Sequence, residues 1–430
     1  MQDASASLAP RRAALDLIAG VIEERRSLSE ARSTPPDSLS ALPPAGRARA
    51  QRLAQEAFRQ MGRADHLLRR NLRKPPPERV AWVLRLAAIE MLGQGAPAHG
   101  VINDAVTLTR NWAKAPKLTG LVNAVLRKLA QLDSTAWAAT PVPRLPDWLR
   151  GSLQNAYGAQ ATLAIEAAHQ RPAPLDLSLR DATPPAGLAG EMLPTGSLRL
   201  DQPGQISALP GYDSGAWWVQ DAAAALPARL LAPKRGERVL DICAAPGGKT
   251  LQLAASGAEV TALDISGPRL ARVRDNLART GLSAQVVQAD ALTWRPDAPF
   301  DAVLLDAPCS ATGTLRRHPE LPFLRAREDV KALVALQAQM LDRVLDPAAG
   351  ILRAGGRVVY CTCSLLPSEG EGQVRAALAR HPGFGILPAK LPGLPEGWRS
   401  PEGGIRTRPD YWPEMGGLDG FYMALMQQSG

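Results

Sequence analysis

Apolar residues recur at helical spacing through the first third of the chain, where no strand-like alternation occurs. The spacing of Leu15, Ile18 and Ile22, for example, is typical of one buried face of an amphipathic helix. Helices are predicted over residues 10–31 (with Pro10 in the first turn), 47–73, 78–92, 99–113 and 117–132, and a Ser- and Pro-rich loop over 31–46. The pattern therefore predicts an all-helical domain over residues 1–138.

The pattern changes at Arg238, after which apolar strands alternate with amphipathic helices. Strands are predicted over residues 238–242, 259–263, 285–288, 300–305, 356–360 and 420–425. Such alternation is typical of a doubly wound, mostly parallel α/β sheet, here assigned to residues 236–430. Residues 139–235 combine a Pro-rich linker, a predicted helix over 146–170 and short strands, and are predicted to form a small α+β subdomain.

Positive charge is concentrated in the helical third. Residues 1–150 carry 23 Lys and Arg against 13 Asp and Glu, whereas the remaining 280 residues carry 27 against 28. A polyanion such as nucleic acid is the simplest partner for this asymmetry. An arginine-rich solvated surface from a high-GC genome is the alternative interpretation.

The bulk composition restricts the class of protein. No stretch approaches the roughly 20 apolar residues of a membrane span, and the first residues do not resemble a signal peptide. All four cysteines follow position 240, which is not the pattern of a disulfide framework in a chain of 430 residues. We therefore expect a cytoplasmic protein that does not bind membranes.

Acidic residues follow several of the predicted strands. Asp241, Asp264, Asp290 and Asp306 all fall at strand carboxyl ends, where ligands bind in parallel α/β sheets. Asp264 could accept hydrogen bonds from ribose hydroxyls, and Asp290 could accept from an adenine amino group. The alternative for any one of these residues is a helix cap or a turn.

The first strand leads into a glycine-rich turn, Ala244-Ala245-Pro246-Gly247-Gly248-Lys249. Glycine allows a ligand to approach the backbone, and the helix that follows directs its N-terminus into the same space. The spacing matches neither a dinucleotide fingerprint nor a phosphate-binding loop. It suits a nucleoside cofactor without a polyphosphate, and S-adenosylmethionine fits these roles.

Two cysteines lie in similar tripeptides after two apolar runs, Pro308-Cys309-Ser310 and Thr362-Cys363-Ser364. A thiolate that adds to carbon 6 of a pyrimidine makes carbon 5 nucleophilic enough to accept a methyl group, and loss of the thiolate then restores the ring. Two thiols at one crevice fit this chemistry, with one attacking and one assisting the reversal. Asp306 could contact ring nitrogen 3 during the addition.

The cysteines also fit structural or metal-binding roles. Cys243 and Cys361 alternate with or adjoin strand positions, as small core residues do. A zinc site built from Cys309, Cys361 and Cys363 lacks the usual Cys-x2-Cys spacing, and we expect no metal.

Taken together, these motifs resemble the RNA (cytosine-5) methyltransferases of the Sun/Fmu family, in order over some 200 residues. The matching segments are Val219-Gln220-Asp221, Asp241 to Thr250, Asp306 to Gly313, Arg316-Arg317-His318-Pro319, Tyr360 to Ser364 and Asp419-Gly420-Phe421-Tyr422. The resemblance implies a Rossmann-like class I S-adenosylmethionine methyltransferase fold with an antiparallel last strand. Cys361 departs from the family pattern and is treated as a bystander.

The resemblance also implies roles. The Thr-Cys-Ser cysteine of the family is the nucleophile, which places that role on Cys363, and Cys309 then assists release of the adduct. DNA cytosine methyltransferases instead attack with the Pro-Cys cysteine, so the order of use is the main ambiguity. The residues assigned to the cofactor pocket are Cys243, Ala244, Ala245, Pro246, Gly247, Gly248, Lys249, Asp264, Asp290 and Asp306, with Asp306 also at the base.

The helical third resembles the NusB-like RNA-binding domain, through residues 97–106 and 117–127. In bacteria this domain precedes the catalytic domain in the family members that methylate 16S rRNA at cytosine 967. The resemblance therefore implies small-subunit rRNA as the partner of a monomeric enzyme. A tRNA substrate, or an RNA-binding assembly or antitermination factor with an idle catalytic domain, are the alternatives.

Overall fold

The computed structural model describes residues 2–201 and 204–428 and divides into two compact units. The helical unit comprises Met1–Gly151, Thr162–Pro172 and Leu315–Ala326. The sheet unit comprises Ser152–Ala161, Ala173–Thr314 and Arg327–Gly430. The predicted three-part division at residues 138 and 235 stays a prediction.

Residues 2–169 form helices joined by loops, as the apolar spacing predicts. The α-helices are α1 (Gln2–Ile22), α2 (Leu28–Ser33), α3 (Asp37–Ser40), α4 (Pro44–Arg69), α5 (Glu78–Ala88), α6 (Ala98–Asn111), α7 (Thr119–Leu129), α8 (Ser134–Ala138) and α9 (Asp147–His169). A π-helix, Ile89–Gly93, extends α5, and a 3-10 turn, Pro116–Leu118, precedes α7. The core of the helical unit is apolar, and it also buries Arg11 with its partners Glu90 and Asp104.

The single helix predicted over residues 10–31 is wrong, because two helices occupy that stretch. The first ends at Ile22, and Arg25 then adopts a positive φ of 54°. The second starts at a capping box in which Ser27 and Glu30 satisfy each other's backbone N–H groups. Pro10 lies inside α1 rather than in its first turn.

The predicted loop at 31–46 is also partly helical. It contains α3, and α4 already begins at Pro44, a residue favoured at a first helical position. Leu39 of α3 is buried in the core of the helical unit. Tertiary packing therefore stabilises α3, which the polar and proline-rich composition of this stretch did not predict.

The sheet unit contains a small antiparallel sheet. Its strands are β1 (Leu175–Leu179), β2 (Glu191–Met192), β3 (Leu198–Leu200) and β4 (Trp217–Val219), in the order β2-β3-β1-β4. A buried bidentate ion pair joins β1 to β3: the Arg199 Nε and Nη2 atoms lie 2.6 and 2.7 Å from the two Asp176 oxygens. The short strands predicted for this stretch are confirmed.

The second sheet has the predicted Rossmann-like topology, mostly parallel with an antiparallel last strand. Its strands are β5 (Arg238–Ile242), β6 (Glu259–Asp264), β7 (Gln285–Gln288), β8 (Phe300–Asp306), β9 (Leu352–Thr362), β10 (Phe384–Ile386), β11 (Ile405–Arg406) and β12 (Tyr422–Gln428). The order is β10-β12-β9-β8-β5-β6-β7, and β11 pairs with β12. Strands β5 to β9 are parallel, whereas β12 runs antiparallel to β9.

Six further helices follow the same chain order: α10 (Leu226–Leu231), α11 (Gly248–Ala255), α12 (Gly267–Thr280), α13 (Leu321–Leu324), α14 (Arg327–Leu345) and α15 (Glu371–Arg380). Helix α13 belongs to the helical unit, where Phe323 packs against Phe58. The sequence did not predict that this stretch leaves the sheet unit, nor the strands β10 and β11. In the part of the chain that the structure describes, no helix has the length and apolar character of a membrane span.

Candidate active site

The carboxyl ends of four parallel strands meet at one edge of the sheet. Ile242 at the end of β5 pairs with Leu263 of β6 on one side and with Leu305 of β8 on the other. Asp306 then pairs with Cys361 of β9. The convergence of the acidic strand ends and the cysteines follows from this register.

The turn after β5 has an unusual backbone. Cys243 has a φ of 62° and Gly247 a φ of 105°, and the Ala245–Pro246 peptide bond is cis. A left-handed φ is costly for most residues but not for glycine, which explains Gly247 at the start of α11. Burial raises the pKa of the Cys243 thiol well above its ordinary value, so this cysteine stays protonated.

Asp241, one residue before the end of β5, is fully buried below this turn. Its Oδ2 atom accepts a hydrogen bond of 2.6 Å from the Thr250 hydroxyl. Its Oδ1 atom is buried without a partner among the described residues. Burial raises the pKa of Asp241 to about 7, although the Thr250 hydrogen bond and the Lys249 charge oppose this.

Asp264 is positioned by the turn that it faces. Its carboxylate accepts from the N–H groups of Ala245 at 3.2 Å and Ser266 at 2.9 Å, and it pairs with Arg269 at 3.4 Å. Between Asp264 and Ser266 stands Ile265, whose exposed fraction of 68% is unusual for an aliphatic residue at a strand end. Apolar surface and a carboxylate are therefore adjacent here.

The hydrogen bonds of Asp290 in the described part of the chain join it to Leu292, Thr293 and Trp294 and not to the other predicted site residues. Asp290 is exposed two positions beyond the end of β7, and its carboxylate accepts from the Leu292 N–H of its own turn at 2.9 Å. This contact is what a turn-forming aspartate makes, and the adenine role of Asp290 stays a prediction.

Lys249 and Asp306 form an ion pair across the crevice, with Nζ 2.8 Å from Oδ2. The other Asp306 oxygen accepts a weak hydrogen bond from the Cys361 thiol at 3.4 Å. Burial has the largest single effect and acts to lower the pKa of Lys249, but the charges of Asp306, Cys361 and Asp241 and the hydrogen bond with Asp306 together leave that pKa raised. The pair therefore holds a carboxylate and an ammonium at the strand ends.

The two proposed reactive cysteines are neighbours, since their Sγ atoms lie 3.4 Å apart. Both thiols are half-buried, whereas Cys361 is fully buried. The hydrogen bond with Cys363 and burial raise the pKa of Cys309 well above its ordinary value. Burial likewise raises the pKa of Cys361.

Glu369, which sequence reasoning missed, lies behind both cysteines. It is fully buried in the 3-10 turn Pro367–Glu369, and its carboxylate contacts Ser310 and Ser364. The one available signal was an acidic residue shortly after the Thr-Cys-Ser tripeptide, in a segment that reads as an ordinary loop. The exposed Ile265 gave no such signal.

Glycines allow the loops around the cysteines to approach one another. The Gly420 N–H donates to the Gly313 carbonyl at 2.9 Å, and the Gly313 N–H donates to the Cys363 carbonyl at 2.9 Å. A Cβ added to Gly313 would overlap the Gly420 carbonyl oxygen, so no other residue fits there. Across residues 2–201 and 204–428, no group of three or more His, Cys, Asp or Glu side chains could hold a metal ion.

Two family models match the chain. The model described as 16S rRNA methyltransferase RsmB/F matches residues 228–427, and the NusB family model matches residues 8–131. The first covers the Rossmann-like sheet and both cysteines. The second covers the helices α2 to α7 and most of α1.

Curated relatives match over most of their length. A Ribosomal RNA small subunit methyltransferase B from Salmonella arizonae is 36% identical over 409 residues, which is 90% of this chain and 93% of the relative. The protein of the same name from Sodalis glossinidius is 38% identical over 361 residues, 78% of this chain and 82% of the relative.

Solved structures share the fold. The crystal structure of PH0851 has a TM-score of 0.73 at 22% identity and covers 98% of this chain and 99% of its own. The structure of NSun6 from Pyrococcus horikoshii with SFG has a TM-score of 0.57 at 20% identity, covering 66% of this chain and 98% of its own. At these identities the likeness concerns the fold alone.

Proposed function

We propose that this chain, which belongs to the RsmB/F family of rRNA methyltransferases and uses S-adenosylmethionine, methylates carbon 5 of cytosine 967 in 16S rRNA. The reaction would pass through a covalent adduct with Cys363. The observation that carries the proposal is the pair of thiols 3.4 Å apart after the ends of β8 and β9, where Lys249 of the glycine-rich turn pairs with Asp306. A single thiol would be enough for the attack on the base. A second thiol that assists release explains why the Cys-Ser motif occurs twice, at Cys309 and at Cys363.

The residues at the turn suit a nucleoside cofactor. The Oδ1 atom of Asp241 is a buried acceptor without a partner among the described residues, and hydroxyl or ammonium donors would satisfy it. The exposed side chain of Ile265 would pack against the adenine ring, and Asp264 beside it would accept from the ribose. S-adenosylmethionine supplies an electrophilic methyl group to this crevice.

The chemistry proceeds from the Cys363 thiolate. Its sulfur forms a bond to carbon 6 of the cytosine, and the displaced electron pair makes carbon 5 nucleophilic. Carbon 5 would take the methyl group of S-adenosylmethionine, whose sulfur would keep the electron pair of the broken bond and leave as a neutral thioether. Removal of the carbon 5 proton then expels Cys363 as a thiolate and restores the aromatic ring.

Asp306 and Cys309 assist this sequence. The Asp306 carboxylate is an acceptor held in place by Lys249, so it suits the exocyclic amino group of the cytosine better than it suits protonation of the ring. Cys309 keeps its proton and lies in hydrogen-bond contact with Cys363. It can therefore stabilise the leaving thiolate during release.

The helical unit, which the NusB model matches, provides the RNA-binding part of the enzyme. We propose small-subunit rRNA as its partner, a monomer as the working form and the cytoplasm as its location. The charge excess of residues 1–150 supports a polyanionic substrate. A tRNA substrate is not favoured by any specific contact.

Two cysteine variants test the proposal on 16S rRNA with radiolabelled S-adenosylmethionine. We expect Cys363→Ala to abolish methyl transfer and to form no adduct. Cys309→Ala should accumulate an RNA–protein adduct that survives denaturant, because attack proceeds while release slows. An adduct with Cys363→Ala but not with Cys309→Ala would reverse the two roles.

A further inference from the structure

Glu369 is a buried carboxylate whose backbone is fixed to the strand that carries Cys363. Its carbonyl oxygen accepts hydrogen bonds from the Tyr360 hydroxyl at 2.7 Å and the Thr362 hydroxyl at 3.1 Å. Both donors belong to β9, and Thr362 is the first residue of the Thr-Cys-Ser tripeptide. The side chain of Glu369 therefore starts from a defined position relative to Cys363.

The Glu369 carboxylate connects the two cysteine loops. Its Oε1 atom accepts from the Ser310 N–H at 2.9 Å, and its Oε2 atom accepts from the Ser310 hydroxyl at 2.5 Å. The same Oε2 atom accepts from the Ser364 hydroxyl at 2.5 Å. Ser310 follows Cys309 and Ser364 follows Cys363, so one carboxylate holds the residue next to each thiol.

A second layer of amides supports this contact. The Gln337 Nε2 atom, from α14, donates to Glu369 Oε1 at 3.1 Å and to the Pro308 carbonyl at 2.8 Å. Gln373 of α15 in turn donates to Gln337 at 3.2 Å. The Gln337 amide thus holds both the carboxylate and the loop that carries Cys309.

The donors to Glu369 are unusual for a buried carboxylate. Hydroxyl, amide and backbone N–H groups supply all of its hydrogen bonds in the described part of the chain, and none of these donors carries a charge. A buried carboxylate is costly unless several donors satisfy it. Because this costly carboxylate is bonded to the residues next to both reactive thiols, it suits a role in their geometry.

We propose that Glu369 is a positioning residue that fixes the two thiols relative to each other, through Ser310 on the Cys309 side and Ser364 on the Cys363 side. This rests on the proposed function, since it assigns Cys363 to attack and Cys309 to release. Loosening the Ser310 contact should disturb release, and loosening the Ser364 contact should disturb attack. The charge of Glu369 also helps to keep the pKa of Cys309 raised, after the larger effects of the Cys363 hydrogen bond, burial and the charge of Cys363.

The two serine contacts can be tested separately by Ser310→Ala and Ser364→Ala. Adduct formation is followed in a single turnover, and release is followed as steady-state methylation of 16S rRNA. Misplacing a reacting group by about 1 Å can cost about 100-fold in rate, so the loss of one positioning hydrogen bond should cost about ten-fold. We expect Ser310→Ala to accumulate adduct with slow turnover, and Ser364→Ala to form adduct slowly without accumulation.

Glu369→Gln should combine both defects, and Glu237→Gln is its matched control. Glu237 is a part-buried carboxylate that pairs with Arg357 at the opposite edge of the same sheet. Its replacement should change the rates of adduct formation and of methylation by no more than about two-fold, because substitutions away from a site usually have small effects. Affinity for S-adenosylmethionine, measured by calorimetry, reports whether each variant is folded. If Glu369→Gln does not fold, the two serine variants still test the proposal.

The outcomes separate this proposal from the proposed function. Equal effects of the two serine variants on both rates, or no effect of either, would overturn the role of Glu369 while the cysteine assignments stand. Methylation by Cys363→Ala would overturn the proposed function and the Glu369 proposal with it. A split between attack and release along the two serines supports both.

Discussion

At the scale of single residues, the site contains a carboxyl group whose ionisation opposes folding. Asp241 is fully buried, and burial raises its pKa from 3.8 to about 7. The folded state therefore binds a proton more tightly than the unfolded state does. The contribution of Asp241 to the free energy of unfolding is therefore fully present below about pH 4, and it is lost as the pH rises from there through about 7.

Asp241→Asn should remove this pH dependence from the sheet unit. Between about pH 4 and about pH 8, the free energy of unfolding of the variant should rise relative to that of wild type by a few kcal/mol. Each pKa unit of difference between the folded and unfolded states is worth about 1.4 kcal/mol. Urea unfolding of both proteins across this range measures the difference. Parallel pH profiles would show that folding does not raise the pKa of Asp241.

At the scale of elements, the small sheet depends on an ion pair that its sequence does not reveal. Asp176 of β1 is fully enclosed, and besides Arg199 it accepts from the Ala222 N–H at 3.0 Å. Arg199 also donates to the Gly417 carbonyl at 2.8 Å. The pair thus ties β1 and β3 to the segment before β12.

Asp176→Asn should lower the free energy of unfolding by about 3–5 kcal/mol, because it leaves the Arg199 charge buried without a counter-charge. Asp181→Asn, which removes an exposed partner of Arg180 in the same region, should cost less than about 1 kcal/mol. Chemical denaturation measures both. Similar losses for the two variants would contradict the structural role given to the buried pair.

The elements that the sequence predicts well are those with a strong local pattern. Strand β5 is an apolar run after its first residue, with Asp241 as its one polar interruption, and both of its ends are predicted correctly. The break after Ile22 was missed because it depends on one capping box and one left-handed residue. Helix α13 was missed because its packing partner Phe58 is more than 200 residues away.

The site shows the same division. Strand-end aspartates and cysteines could be found from position alone, since a parallel sheet brings carboxyl ends together. Glu369 could not, because its role arises from hydrogen bonds to Ser310 and Ser364 in loops that meet only in the folded chain. The Lys249–Asp306 pair likewise joins residues 57 positions apart.

At the scale of the whole molecule, net charge separates the first third, which we propose binds RNA, from the rest of the chain. Helix α4 and its C-cap alone present Arg47, Arg52, Arg69 and Arg70 as exposed side chains. RNA binding should therefore weaken steeply with salt, because each neutralised phosphate releases condensed counterions. The charge excess of residues 1–150 predicts this dependence independently of the cysteines.

Replacing Arg52, Arg69 and Arg70 by Gln should reduce the slope of log affinity against log salt by about 0.7–0.9 for each phosphate that is no longer neutralised. Arg353→Gln is the control, since this exposed arginine lies near the start of β9, away from the strand ends of the site. Fluorescence anisotropy with a 16S rRNA fragment at several salt concentrations gives the slopes. An unchanged slope in the triple variant would remove α4 from the RNA-binding surface.

The enzyme is proposed to make one 5-methylcytosine in small-subunit rRNA, with Cys363 as nucleophile. Bisulfite sequencing of total RNA from cells that lack the protein, complemented with wild type or with Cys363→Ala, tests it most directly. We expect cytosine 967 of 16S rRNA to lose its methyl group in these cells, to regain it with wild type and not to regain it with Cys363→Ala. Loss of methylation at a tRNA site instead, or full rescue by Cys363→Ala, would contradict this proposal.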